Sequence, residues 1–194
     1  MRKKEIDHLL QFVSEAGLLK RVKRSGWWVL GIQDPESVAE HSFRCAILGY
    51  VLAQMEGVAP YKALLMTLFN DLQEARISDL HKMSQHYIQS AQAEEKAFQE
   101  QISKLPGIMK DELSAIHREY KGQQTHAALI ARDADILECL IQAKEYQEHG
   151  FTQAFKFMKK APAFLKTKSA KKLWRQARVM PLNTWWEKLS DFHR

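Results

Sequence analysis

The sequence has almost no strand signal. Alternating runs of β-branched residues are missing, and the one extended-looking piece is WWVLGI, Trp27 to Ile32. Glycine and proline are sparse, 8 and 5 in 194 residues. They fall between periodic segments, so no repeat, low-complexity tract or domain linker is visible. No apolar run approaches the roughly 20 residues that cross a bilayer. The longest candidate, Cys45 to Ala53, is far too short, which argues against a membrane role. The N-terminus, MRKKEIDHLLQF, turns mixed in charge at once and does not read as a signal peptide. There are only two cysteines, Cys45 and Cys139, each inside a helical pattern among apolar neighbours. They read as reduced core thiols of a cytoplasmic protein, not as a disulfide framework. Acidic residues are scarce from Gly150 onward: two Asp/Glu against eleven Lys/Arg, a local +9 in a chain of net +6. No nucleic-acid motif interleaves these lysines, so a solvated face is the simpler reading. A nucleic acid or acidic partner is the alternative.

What is present is helical periodicity. It predicts helices at about 3–17, 37–56, 60–75, 84–104, 108–119, 124–148, 151–160, 163–178 and 182–192. The expected fold is all-α, one helical bundle over 1–194. Its motif-bearing core runs from 18 to 146, with a basic helical extension at 150–194. One start is well marked. Ser37-Val38-Ala39-Glu40 matches a capping box, although Asp34 as cap with Pro35 in the first turn is also compatible.

Three polar residues fall on stripes that should face the core. His41 precedes Cys45, Leu48 and Leu52 at +4, +7 and +11. Asp71 follows Leu64 and Leu68, and Asp135 lies between Ala128, Ala131 and Cys139. A buried, unpaired carboxylate is costly and takes a cation, a hydrogen bond or a metal. Singly, each has a structural explanation: a satisfied core histidine, or an aspartate that pairs or caps. Together, on three helices, they can converge on a metal between the helices of a bundle. Glu74 lies three residues after Asp71, on the same face, and could position or deprotonate a water. Its plainer role is a surface pair with Arg76, and that of Asp79 is a cap.

The order SVAEHSFR, FNDLQEARISDLH, ARDADILECLIQAKEY resembles the HD-domain metal-dependent phosphohydrolases. It is most similar to the group of 5′-deoxynucleotidases and HD-domain-containing-protein-2-like chains. LLKRVKRSGWW and DPESVAEHSFR resemble that group's N-terminal signature. The resemblance runs from Leu18 to Tyr146. It implies hydrolysis of (deoxy)nucleoside 5′-monophosphates with a divalent metal such as Mn, Co or Mg, and it suggests a homodimer. It implies His41, Asp71 and Asp135 as metal ligands and Glu74 as the residue that orients the attacking water. Asp79 would assist proton transfer to the leaving oxygen or touch the sugar. Arg24 and Trp27 would sit over the nucleotide, with Lys20 or Arg21 balancing phosphate charge.

The departure is Asn70, where the family's dipeptide has histidine. A carboxamide oxygen is a weaker ligand than imidazole, so any metal would be held less firmly, with a shift toward Mn²⁺ or Mg²⁺. His81 or His86 is a candidate replacement imidazole. A nucleotide-binding pseudoenzyme of the same fold is the alternative function, and binding through the basic C-terminal helices is another.

Overall fold

The capping box forms as the sequence predicts. In the computed structural model, which describes residues 2–187 and 189, Ser37 Oγ accepts the Glu40 N–H at 3.2 Å. The Ser37 N–H donates back to Glu40 Oε2 at 2.5 Å. This launches α2 (Val38–Met55), which follows α1 (Lys3–Ala16). Between them lie two 3-10 turns, Gly17–Lys20 and Ser25–Leu30, so the extended-looking WWVLGI is a tight helical turn. Then come α3 (Pro60–Phe69), α4 (Glu74–Ile77), α5 (Lys82–Tyr87), α6 (Ala91–Ile102), α7 (Gly107–Gly122) and α8 (His126–Glu148). Among the described residues α9 (Phe155–Lys160) and α10 (Lys168–Ala177) follow. Among the described residues there is no strand. A single isolated bridge joins Lys23 and Ser37. The all-α fold expected from the periodicity is the fold observed.

Four expected helices differ. The one predicted over 163–178 starts only at Lys168, because Leu165 is extended and Thr167 caps the helix. The one predicted over 60–75 stops at Phe69, because the backbone tightens. Leu72, Glu74 and Ala75 donate to Phe69, Asp71 and Leu72, three residues back instead of four. The one predicted over 84–104 divides at Ile88, whose backbone is extended, φ −114° and ψ 119°. The one predicted over 182–192 lies partly outside the described residues; from Leu182 to Glu187 the chain is a bend and turns.

The centre is α8 against α2 and α3. Ile130, Leu137 and Leu140 of α8 are fully buried with Leu52 and Ala53 of α2 and Ala63 of α3. Burying each leucine or isoleucine contributes roughly 1.5–3 kcal/mol. Gly49 allows α2 and α3 to approach: a Cβ there would lie 3.0 Å from Thr67 Oγ1 and 3.3 Å from the Ala63 carbonyl. The basic C-terminal segment is not an appendage, since Leu165, Ala170 and Trp174 belong to the same core. A second cluster, with Val38, Leu72, Phe98 and Ile102, closes the side beneath α1 and α6. The two clusters leave polar side chains of α2, the 70–79 segment and α8 facing one another.

Candidate active site

His41 is the hub. It lies in the first turns of α2 and is 1% exposed, so both ring nitrogens need partners inside the protein. Nε2 faces two aspartates, 3.0 Å from Asp135 Oδ1 on α8 and 3.5 Å from Asp71 Oδ2 after α3. The three inward-facing polar residues therefore meet. Nδ1 pairs with Glu138 Oε2. Cys45, one turn along α2, places Sγ 3.4 Å from Nε2. His41, Cys45 and Asp135 offer ligand atoms all within 4.8 Å of one another, and so do His41, Glu138 and Cys139. The second group is the poorer metal site, because Arg44 and the His41 Nδ1 already occupy the Glu138 oxygens.

The tightened turn keeps Asp71 and Glu74 together, since residues three apart eclipse in 3-10 geometry. Glu74 Oε2 is buried and has no hydrogen-bond partner. Burial, then the charges of Asp71 and Asp79, push its pKa up to about 9. Burial also raises Asp71, against the pull of Arg24 and His41. Burial would raise Asp135 as well, but its hydrogen bond to His41 and the charge there hold it below the ordinary value. Burial and Arg24 oppose a proton on His41, yet Cys45, Glu138 and Asp135 hold its pKa well above the usual. The site thus favours positive charge at its centre.

Asp79 follows Ser78, which has φ 64° and ψ 165°, a backbone conformation that costs a non-glycine residue about 1–3 kcal/mol. The bend brings Asp79 to the turn before α2. There Oδ2 accepts the Ser25 N–H at 2.6 Å and the Ser25 hydroxyl at 2.7 Å. Arg24 enters the same place. Its Nη1 lies 3.3 Å from Asp79 Oδ1 and 3.7 Å from Asp71 Oδ2, and Nη2 lies 3.2 Å from Cys139 Sγ. Burial opposes its charge, but Cys139, Asp71, Asp135 and Asp79 keep the guanidinium charged.

Trp27 is not where the resemblance puts it. Its ring is 2% exposed and packs on Tyr146 and Phe157, with centroids 5.1 and 4.6 Å away. Its indole N–H donates to Glu36 Oε1 at 3.0 Å. This apolar side chain is in the core because the 3-10 turn aims it at α8 and α9, so it offers no face to a ligand. The neighbouring Trp28 is 51% exposed.

Asn70 Nδ2 donates to Asp71 Oδ1 at 2.8 Å. Its amide steadies the aspartate beside it, and the residue borders a small cavity with Phe98, His117 and Tyr120. Neither candidate replacement imidazole is at the site. His81 caps α5, its Nδ1 accepting the Ser84 N–H at 3.1 Å, and His86 packs edge-on to Tyr87. Arg76 binds Glu15 and Glu100, which leaves Glu74 without the surface partner considered for it. Sequence reasoning missed Glu138, Arg44 and Ser25. Glu138 lies three residues after Asp135, and Arg44 three after His41. That spacing was the available signal.

The donor set fits a divalent cation. One imidazole nitrogen faces two carboxylates, a buried Glu74 oxygen without a hydrogen bond stands beside them, and Asp71 and Asp79 pair with a single guanidinium.

The family model described as HD domain matches residues 16–174. The chain is 31% identical over 141 residues to the 5′-deoxynucleotidase HDDC2 of Xenopus laevis, spanning 72% of this chain and 70% of that one. A conserved hypothetical protein from Pyrococcus furiosus superposes with a TM-score of 0.75 at 29% identity, covering 88% and 99% of the two chains. A protein described as a predicted metal-dependent phosphohydrolase from Magnetospirillum magnetotacticum shares the fold at 24% identity, with a TM-score of 0.71 and 91% and 90% covered.

Proposed function

Since this chain belongs to the HD-domain family, we propose that it is a metal-dependent phosphohydrolase that cleaves deoxynucleoside 5′-monophosphates to nucleoside and phosphate. The observation that carries this is the convergence of His41, Asp71 and Asp135 from three parts of the chain, with the orphaned Glu74 carboxylate alongside. His41 Nε2, Asp71 and Asp135 would hold the ion. When bound, a divalent metal such as Mn²⁺, Co²⁺ or Mg²⁺ supplies Lewis acidity toward the phosphate and lowers the pKa of water. Glu74 orients the attacking water, and takes its proton only when its own carboxyl, tuned upward by burial, is ionised. Arg24 turns from its aspartate partners to phosphate oxygens, which a guanidinium also binds by charge-assisted hydrogen bonds. Asp79, held by Ser25, assists the proton to the leaving 5′-oxygen or touches the sugar. Asn70 serves as the steadying partner of Asp71 and contributes little as a ligand.

The carboxamide at Asn70 also favours a second function, a site that binds nucleotide without turnover because it offers a metal no imidazole there. We further propose a homodimer, supported by the exposed Phe43, Ile47 and Tyr50 along the outer face of α2. A cytoplasmic setting is supported by two free thiols. The test is phosphate release from deoxy- and ribonucleoside monophosphates with Mn²⁺, Co²⁺ or Mg²⁺, for the wild type, Asp71→Ala and Asn70→His. Release by the wild type that Asp71→Ala abolishes is the expected result. Release only from Asn70→His supports the binding protein. Silence from both removes the nucleotidase.

A further inference from the structure

Glu138 is fully buried on α8, beneath His41. An ionised carboxylate there costs several kcal/mol unless it is paired and hydrogen-bonded on every side. It is. Oε2 meets His41 Nδ1, and Oε1 accepts Arg44 Nε at 2.9 Å with Nη2 at 2.8 Å. Arg44 is itself fixed from α8. Its Nη1 donates to Glu145 Oε2 at 2.7 Å and its Nη2 to Gln142 Oε1 at 2.5 Å. Glu138, Gln142 and Glu145 recur at +4 and +7, so one face of α8 grips the guanidinium and the guanidinium grips Glu138. His41 thereby gains a fixed acceptor at Nδ1, on the ring edge away from Asp71.

The consequence is a choice of tautomer. Nε2 lies 3.0 Å from Asp135 Oδ1, and a neutral ring with its proton on Nε2 would satisfy that contact and have no lone pair to give a metal. When a cation displaces the proton from Nε2, an acceptor at Nδ1 holds the remaining proton there and leaves the Nε2 lone pair to the metal. Resting on the metal-site reading above, we propose that Glu138, tethered by Arg44, is a positioning residue that keeps the His41 proton on Nδ1. It also makes Nε2 a stronger ligand. In this chain that support falls on the one imidazole of the donor set, because Asn70 supplies none.

The test uses Zn²⁺ as the probe, with ¹⁵N-labelled full-length protein. Wild type loaded with Zn²⁺ is expected to show His41 with the metal on Nε2 and a slowly exchanging proton on Nδ1. Glu138→Gln is expected to weaken Zn²⁺ binding about ten- to a hundredfold in a chelator competition run at a temperature where the metal-free variant is still folded. Equal affinity and unchanged His41 shifts in Glu138→Gln overturn the proposal and leave the metal site standing. A proton on Nε2 in the Zn²⁺-loaded wild type overturns it without any variant, which covers a Glu138→Gln that does not fold. Wild type that takes up no Zn²⁺ overturns the metal site and the positioning role together.

Discussion

Glu36 accepts the Trp27 indole N–H, and burial, reinforced by the charge of Glu138, raises its pKa from 4.5 to about 7. A carboxyl whose folded pKa is raised binds its proton more tightly in the folded state. The stability it contributes is present below the unfolded pKa and is lost as pH rises through about 7. Unfolding free energy is therefore expected to fall between about pH 4.5 and 8. Glu36→Gln should flatten that slope and be the more stable protein at about pH 8, by about 1–3 kcal/mol. Urea titrations across pH measure it; parallel slopes in the two proteins would assign the pH dependence elsewhere. The same residue shows how far local reading reaches. Periodicity places His41 and Asp135 inward, but it says nothing of the Trp27–Glu36 bond, because turn geometry decides which way that tryptophan points.

Between elements, one buried side chain joins the C-terminal segment to the bundle. Asp133 of α8 is fully buried and accepts the backbone N–H groups of Lys166 and Thr167 at 2.9 and 2.6 Å, together with the Thr167 hydroxyl at 2.8 Å. Thr167 in turn caps α10 by accepting the Ala170 N–H at 3.3 Å. Loss of Asp133 leaves these buried donors unpaired and frees the start of α10. Asp133→Ala should cost about 2–4 kcal/mol. Lys166→Ala, which keeps the backbone donor, should change stability by less than about 0.5 kcal/mol. Equal losses in urea unfolding would show that charge attraction, not amide capture, holds the segment. The break after Phe69 also belongs to this scale. The apolar pattern continues through Ala75, so the sequence reads as one helix, and only the three-residue bonding of 72–75 shortens it.

Over the whole molecule, folding brings Asp71 and Asp79 to the Arg24 guanidinium and Asp135 to His41, while the unfolded chain keeps these partners apart. A cation that binds only this arrangement stabilises the fold by about 2.7 kcal/mol at a hundredfold excess over its Kd. Mn²⁺ or Co²⁺ should therefore raise the melting temperature of the wild type and raise that of Asp135→Ala much less. Equal shifts in the two proteins would place the bound ion elsewhere.

The sequence by itself determined the all-α class, the start of α2 and the inward faces of His41 and Asp135. Each follows from residue spacing within one segment, and helical spacing is a local property. Asp71 is turned inward by the tight turn after Phe69 and not by the helical stripe read for it. Tertiary structure alone decided that Trp27 is core, that His81 caps a helix and that Glu138 with Arg44 stands behind His41. Those outcomes depend on which helices meet, and the partners of a buried polar group are chosen by packing across separations such as the 97 residues between His41 and Glu138.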